Sequence, residues 1–329
     1  MTATATARRT RWPYILAMLL PALLALPAAA GAQAVAVVSQ QGARVSRIEA
    51  GAVASALEVA PAPAVAAADA TGRLYVSHPD GHAITVIEPD GATRRFAFAG
   101  QAFGLAVEPD GRALYVGDWS GNRVLRVSPT TGAVEAEVAV SRDPAGLVLG
   151  GDGRLYVAER EAGSVGVIDT GRMERIAGLP AGDGPFALAY DPVRRRVYVA
   201  NVRSNDLTVI DAAAGRVFAR VPAGASPYGV AVSADGARVV VTDQHAAAVS
   251  VIDAETLSVV ATLPVGRYPE GVAIHDGRAY VANWFSDDVS VIDLASLRVT
   301  GRIPVAEGPR TILALPRPAA PPAVPGAVR

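Results

Sequence analysis

The sequence predicts an all-β fold, a seven-bladed β-propeller with four antiparallel strands per blade, on three observations. The chain nearly repeats itself: RVYVANVRSNDLTVIDAAAG runs from Arg196 to Gly215 and RAYVANWFSDDVSVIDLASL from Arg278 to Leu297. Aligned on the shared YV core, Tyr75, Tyr115, Tyr156, Tyr198, Val240 and Tyr280 fall in register at spacings of 40, 41, 42, 42 and 40 residues. Each unit also divides into about four short runs rich in β-branched residues, and a period of ~40 residues with four strands is the size of a propeller blade.

The N-terminus comes first and stands apart. Arg8, Arg9 and Arg11 form a positive region, Tyr14–Pro27 an apolar one, and Ala28–Ala34 offers small-residue cleavage sites after Ala32 or Ala34. This reads as a secretory signal over residues 1–33. A membrane anchor is the competing reading, but the apolar run is short and broken by Pro21 and Pro27. Cleavage would take the net charge from −1 to about −4. The remaining domain, 34–316, is then mildly acidic, exported to the periplasm or beyond, without a membrane span, and a poor general binder of nucleic acid.

The domain opens with three strand-like runs, AVAVVSQ, ARVSRIEA and ASALEVA, before Ala64. The regular units follow, with innermost strands starting near Ala64, Gly104, Ala145, Phe186, Tyr228 and Glu270. In the unit from 227 to 268, YGVAVSA suits a strand buried on both faces, ADG a turn, RVVVTD and AVSVID the middle strands and SVVATLPV an alternating outer strand. A seventh innermost strand, RTILALP from Arg310, lacks the other three. Three strands plus one complete the last blade and close the ring. Residues 317–329 are a Pro/Ala-rich tail, expected to be disordered.

YVAN with VID, and linkers of the LPVGRYPEG kind, resemble the YVTN-type β-propeller repeats of exported bacterial and archaeal proteins, over roughly residues 34–316. The resemblance implies the fold and, most often, a binding or surface role; some proteins of similar shape are enzymes. Asp243, Asp118 and Glu159 stand where YVAN has Asn, so the copies are uneven.

A residue shared by every unit serves what every unit shares, which is folding. The polar residues that follow the second strands, His78, Asp118, Glu159, Asn201, Asp243 and Asn283, are of that kind. They fit turn capping, or else a ring of oxygens around Ca²⁺ as in propeller lactonases. Residues that differ between units point to function. Trp119, Trp284 and Phe285 lie in loops of one face, with Phe103, Phe186, Tyr228 and Tyr268 in the linkers beside them. Arg123, Arg160, Arg203, Arg267, Glu270 and Arg310 accompany them. Packing between loops would also account for the aromatics.

The sequence contains no Cys, which excludes disulfides, cysteine metal centres and covalently attached c-type haem. Four His residues show no HExxH spacing; His245 is the one candidate axial ligand to a non-covalent haem. No nucleophile elbow, phosphate-cradling loop or paired carboxylates stand out. The sequence therefore assigns no catalytic residue, metal site or cofactor. It predicts a monomeric, non-catalytic module binding a protein or small molecule through Trp119, Arg160, Arg203, Tyr228, His245, Trp284, Phe285 and Arg310. The alternative is a propeller enzyme or accessory: a metal-dependent lactonase-like hydrolase, or a haem- or quinone-associated periplasmic oxidoreductase component.

Overall fold

Runs of Val, Ile, Ala and Tyr between Asp/Gly turns become strands wherever the repeat places them. A computed structural model describes residues 34–316, which all fall in one unit, Gly31–Arg329. The signal and tail that the sequence sets apart lie outside the described residues. Seven four-stranded antiparallel sheets form the seven blades of the propeller. In one of them Pro227–Val232, Arg238–Asp243, Ala248–Asp253 and Ser258–Pro264 pair in chain order, from the channel outward. The only helical elements among the described residues are the 3₁₀ turns Arg160–Ala162 and Gln244–Ala246, both in loops after second strands. None is long and apolar enough to cross a membrane.

The closing blade is built as predicted, with strand order Pro309–Ala314, Ala34–Ser39, Arg44–Glu49, Ala52–Glu58. Val37 faces Ile312 and Ala36 faces Leu313. Leu315 N donates to Ala34 O at 3.0 Å, and Gln40 N to Gly308 O at 2.8 Å. We number this blade 1. The innermost strands of blades 2 to 7 are Ala66–Ala68, Ala102–Val107, Pro144–Leu149, Pro185–Asp191, Pro227–Val232 and Pro269–His275.

The core is a ring of apolar seams, one at each blade junction. Tyr198, Leu207 and Val209 of blade 5, for example, pack on Val230, Val239 and Val241 of blade 6, and Val35 and Ile312 of blade 1 on Tyr280 and Val289 of blade 7. Middle strands are covered by a neighbour on both faces, so Arg196–Asn201 and Asp206–Asp211 bury almost every residue. The outermost strand Arg216–Pro222 reaches water and alternates. Small and β-branched side chains suit these thin seams, which is why a chain with 5% aromatic residues can fill them.

The polar residues at the ends of the second strands are buried, and all but Asn201, which donates to Asp206 Oδ1 (2.8 Å) and Thr208 Oγ1 (2.9 Å) of its own blade, bond to a linker. Asp118 accepts from Gln101 N (2.9 Å) and Gly121 N (3.2 Å); Glu159 from Ser141 N (2.9 Å) and Arg175; Asp243 from Gly224 N (3.0 Å) and Ser250 Oγ (2.7 Å); Asn283 from Gly266 N (3.1 Å). His78 does the same work on a carbonyl, with Nδ1 3.2 Å from Pro61 O and Nε2 2.9 Å from Thr85 Oγ1. Each ties a second strand to the linker entering its own blade. Among the described residues no group of three or more His, Asp or Glu side chains is placed to hold a metal ion. Asp243→Ala and Asn283→Ala are each expected to lower stability by on the order of 1–2 kcal/mol, unaffected by chelator. Urea midpoints with and without EDTA check this; a chelator-sensitive midpoint restored by Ca²⁺ would restore the metal ring.

Candidate functional site

Chain direction within a blade puts the inter-blade linkers and the loops after second strands on one face, around one end of the channel. At that end the innermost strands carry a β-bulge: the register shifts between Ala102 and Leu105, Pro144 and Leu147, Pro185 and Leu188, Pro227 and Val230, and Pro269 and Val272. Bulges re-aim side chains. From blade 3 round to blade 1 the bulge holds Phe103, Ala145, Phe186, Tyr228, Glu270 and Arg310, and Ala64 stands at the matching position of blade 2, just before Ala66–Ala68. One structural position thus holds two Ala, three aromatics and an opposite-charge pair.

The backbone at this ring is pinned. Ser77 Oγ donates to Phe103 O (3.0 Å), Thr242 Oγ1 to Glu270 O (2.7 Å) and Thr311 Oγ1 to Ala64 O (2.8 Å), each across a blade junction. Gly104 and Gly229, one residue further on, are glycines because of this approach. A Cβ there would stand 2.0 Å from Ala145 O and 2.2 Å from Glu270 O.

Where the ring position is Ala, the large residues on either side meet across it. Phe103 and Phe186 lie 5.8 Å apart, centroid to centroid, across the Ala145 blade; Arg310 Cζ sits 5.6 Å from the Phe103 ring across the Ala64 blade. Phe186 packs on Tyr228 at 4.3 Å, and Arg310 Nη2 donates to Tyr228 Oη at 2.9 Å. These side chains form an iris over a mostly apolar cavity of about 210 Å³ lined further by Leu105, Leu147, Leu188, Val230, Val272 and Ile312. On the outer side, Phe103 and Arg310 also line a second cavity of about 230 Å³ with Trp119 and Gln40.

Charge in the iris is concentrated in one pair. Glu270 is 5% exposed. Its Oε1 accepts from Gln244 Nε2 at 3.2 Å, while Oε2 lies 3.4 Å from Arg310 Nε and has no hydrogen bond. Burial pushes its carboxyl up to about 7, against the pull of Arg310 and Gln244. Burial also raises the Tyr228 phenol, so it stays a donor and acceptor rather than a charge at neutral pH.

Most of the residues selected from the sequence come together here. Trp119 packs on Phe103 at 4.9 Å; Arg160 Cζ sits 5.9 Å from both the Trp119 and Phe186 rings; Trp284 lies 5.8 Å from Arg310 Cζ. Cation–π contact is favourable at such separations. The Arg160 Nε is buried with no hydrogen-bond partner. Exposed His245 and Phe285 flank Tyr268 at 5.8 and 4.9 Å on the blade 6–7 side. Arg203 is the one that stays apart: Nη1 pairs with Glu161 (2.7 Å) and Nε with Asp183 (2.8 Å), which spends its charge on bracing the rim beside Arg160. Glu270, Phe103 and Phe186, left out of that selection, prove central. The available signal was their shared position after the linker, where the residue type changes from blade to blade.

A family model described as the Cytochrome D1 heme domain matches residues 152–283, under half of the chain. No curated protein matches the chain in sequence. Among solved structures, Kuenenia stuttgartiensis Hydrazine Synthase is similar with TM-score 0.70 and 22% identity over 78% of this chain and 90% of that one. A catalytically inactive virginiamycin B lyase from Staphylococcus aureus with Quinupristin gives 0.66 and 15% over 78% and 93%. Dihydro-heme d1 dehydrogenase NirN in complex with DHE gives 0.64 and 16% over 83% and 73%. At these identities the structural likeness is one of fold. The haem-domain match corrects the expectation of a non-catalytic binding module and points to an enzyme or haem-associated role. The expectation failed because it rested on missing catalytic motifs, and a non-covalently held cofactor brings its own chemistry and requires none of them.

Proposed function

We propose that this protein is a haem-associated propeller, a component of a periplasmic oxidoreductase or an accessory to one, and that it holds a d1-type tetrapyrrole without covalent attachment on its loop face. The observation that carries this is the haem-domain match over residues 152–283. That stretch contributes Arg160, Phe186, Tyr228, His245 and Tyr268, about half of the mouth.

The residues present fit such a group. A planar conjugated ring bearing carboxylates asks for flat apolar surfaces with cations at their edge. Trp119 and Phe186 supply the surfaces. Arg160, spread over both rings with an unpartnered Nε, supplies a cation for a carboxylate. His245, with an exposed imidazole, would be the residue to hold the iron. The haem would supply redox chemistry at its iron; the chain's residues bind it, orient it and keep water from one of its faces. Export by the N-terminal signal, membership of the YVTN-type repeat family and a monomeric state complete the proposal.

Titrating purified protein with haem d1 and following the visible spectrum tests it. Saturable binding with a shifted absorption band is expected, weakened ten-fold or more in Arg160→Gln and in Trp119→Ala, with thermal melts unchanged since both sit on the loop face. His245→Ala should retain binding but shift the spectrum of the bound haem. No saturable spectral change, or equal affinity in all variants, would end the reading.

A further inference from the structure

Glu270 and Arg310 occupy adjacent blades at a ring position whose residue type changes from blade to blade. Ala64 and Ala145 show that the same position can be filled by a methyl group. Their side chains are nevertheless incompletely satisfied. Arg310 has five N–H donors. One on Nη1 goes to Gln40 Oε1 (3.0 Å) and one on Nη2 to Tyr228 Oη (2.9 Å); Nε faces Glu270 at 3.4 Å in an ion pair that lacks a hydrogen bond. Each terminal nitrogen keeps one N–H for a further acceptor, and a carboxylate has two oxygens to offer. Below them lies a mostly apolar cavity of about 210 Å³, walled at its top by Phe103, Phe186 and Tyr228.

We propose that this pair is a proton-coupled binding site for a small aromatic carboxylate: the ligand's carboxylate takes the remaining N–H groups of Arg310, its ring enters the channel cavity, and Glu270, deprived of its counter-ion, takes up one proton. The balance is simple: one carboxylate arrives, one carboxylate becomes a carboxylic acid, and the iris keeps a single positive charge against a single negative one. The groups facing Glu270 are Arg310 from the closing strand, and Gln244 and Tyr228 from blade 6; Tyr268, on the linker before Glu270, acts on Arg310 and Tyr228. Only Glu270 among these has a carboxyl poised near neutrality, at about 7. Two carboxylates cannot both stay ionised on one guanidinium in a buried site, so the protein's own gives way.

The site shares Phe186 and Tyr228 with the tetrapyrrole reading but does not rest on it and is tested without any haem. The probe is benzoate, measured by calorimetry in two buffers of different ionisation enthalpy. Uptake close to one proton per benzoate is expected at pH 8, falling toward zero below pH 6, with affinity dropping about ten-fold per pH unit above ~7. In Glu270→Gln, proton uptake should vanish and affinity should become flat with pH and exceed that of the wild type at pH 8. Arg310→Met should lose at least ten-fold in affinity, with a thermal melt to show that the ring still closes. Acetate, which lacks the ring, should bind at least ten-fold more weakly than benzoate. The proposal is overturned by absence of benzoate binding, by acetate binding as well as benzoate, or by proton uptake that survives in Glu270→Gln.

Discussion

A chain ending at Gly308 is expected to lose its cooperative unfolding transition and to aggregate, whereas one ending at Pro316 should melt like the full-length protein. The difference is a single strand. Pro309–Ala314 pairs with Ala34–Ser39 and buries Ile312, and Leu315 just beyond it is covered as well. Each such side chain is worth about 1.5–3 kcal/mol on burial, against a total stability of about 5–15 kcal/mol for a typical domain. The damage extends beyond the deleted residues. Without this strand the channel-side edge of Ala34–Ser39 is left unpaired, and its carbonyls and amides become a template for another chain. The seam in which Ile312 packs with Val35 and Tyr280 opens as well, so blade 7 loses a neighbour. Denaturant titration followed by circular dichroism, with light scattering for aggregation, checks the outcome. Equal midpoints for the two truncations would show that the ring does not depend on its closing strand.

The same strand shows why the fold was legible and the site only partly so. The blade count required nothing more than a period and two incomplete ends, both written in local sequence: turn residues at fixed offsets and β-branched runs between them. Closure across a separation as long as Gln40 N to Gly308 O followed from arithmetic on blades. The iris is another matter. Phe103 and Phe186 are 83 positions apart and meet only because Ala145 between them is small, a relation that appears when seven copies are placed in a circle. Arg203 and Arg160 look equivalent as loop arginines. Their difference depends on Glu161 and Asp183 reaching Arg203, while the Nε of Arg160 is left among rings. The proposed tetrapyrrole would leave little local signature for a chemical reason: a site that grips a flat group with rings and guanidinium ions needs no fixed spacing along the chain, unlike a motif that must present two ligands on one turn.

Replacing Glu270 with Gln is expected to stabilise the protein at alkaline pH and leave it unchanged in acid. The carboxyl is held at about 7 in the folded protein against an ordinary value of 4.5, chiefly by burial. A raised value means the fold prefers the neutral acid. The stability linked to this group is therefore fully present below pH ~4.5, declines as pH rises through ~7 and stays lost above that. At about 1.4 kcal/mol for each pH unit between the two values, the loss amounts to about 3 kcal/mol, an upper figure because the channel cavity can admit water. Gln keeps the acceptor that Gln244 uses and, like the protonated acid, places no negative charge beside Arg310. Above pH 8 only the wild type carries a buried carboxylate whose Oε2 has no hydrogen bond. Every other titrating group is common to both proteins and cancels in the comparison. Urea midpoints at pH 4.5, 7 and 9 should nearly converge at the first and stand apart by almost the full amount already at pH 7, with little added at pH 9 and Gln the more stable throughout. Parallel curves, or a variant less stable at pH 9, would mean that Arg310 compensates the Glu270 charge fully and that its carboxyl titrates as an ordinary one.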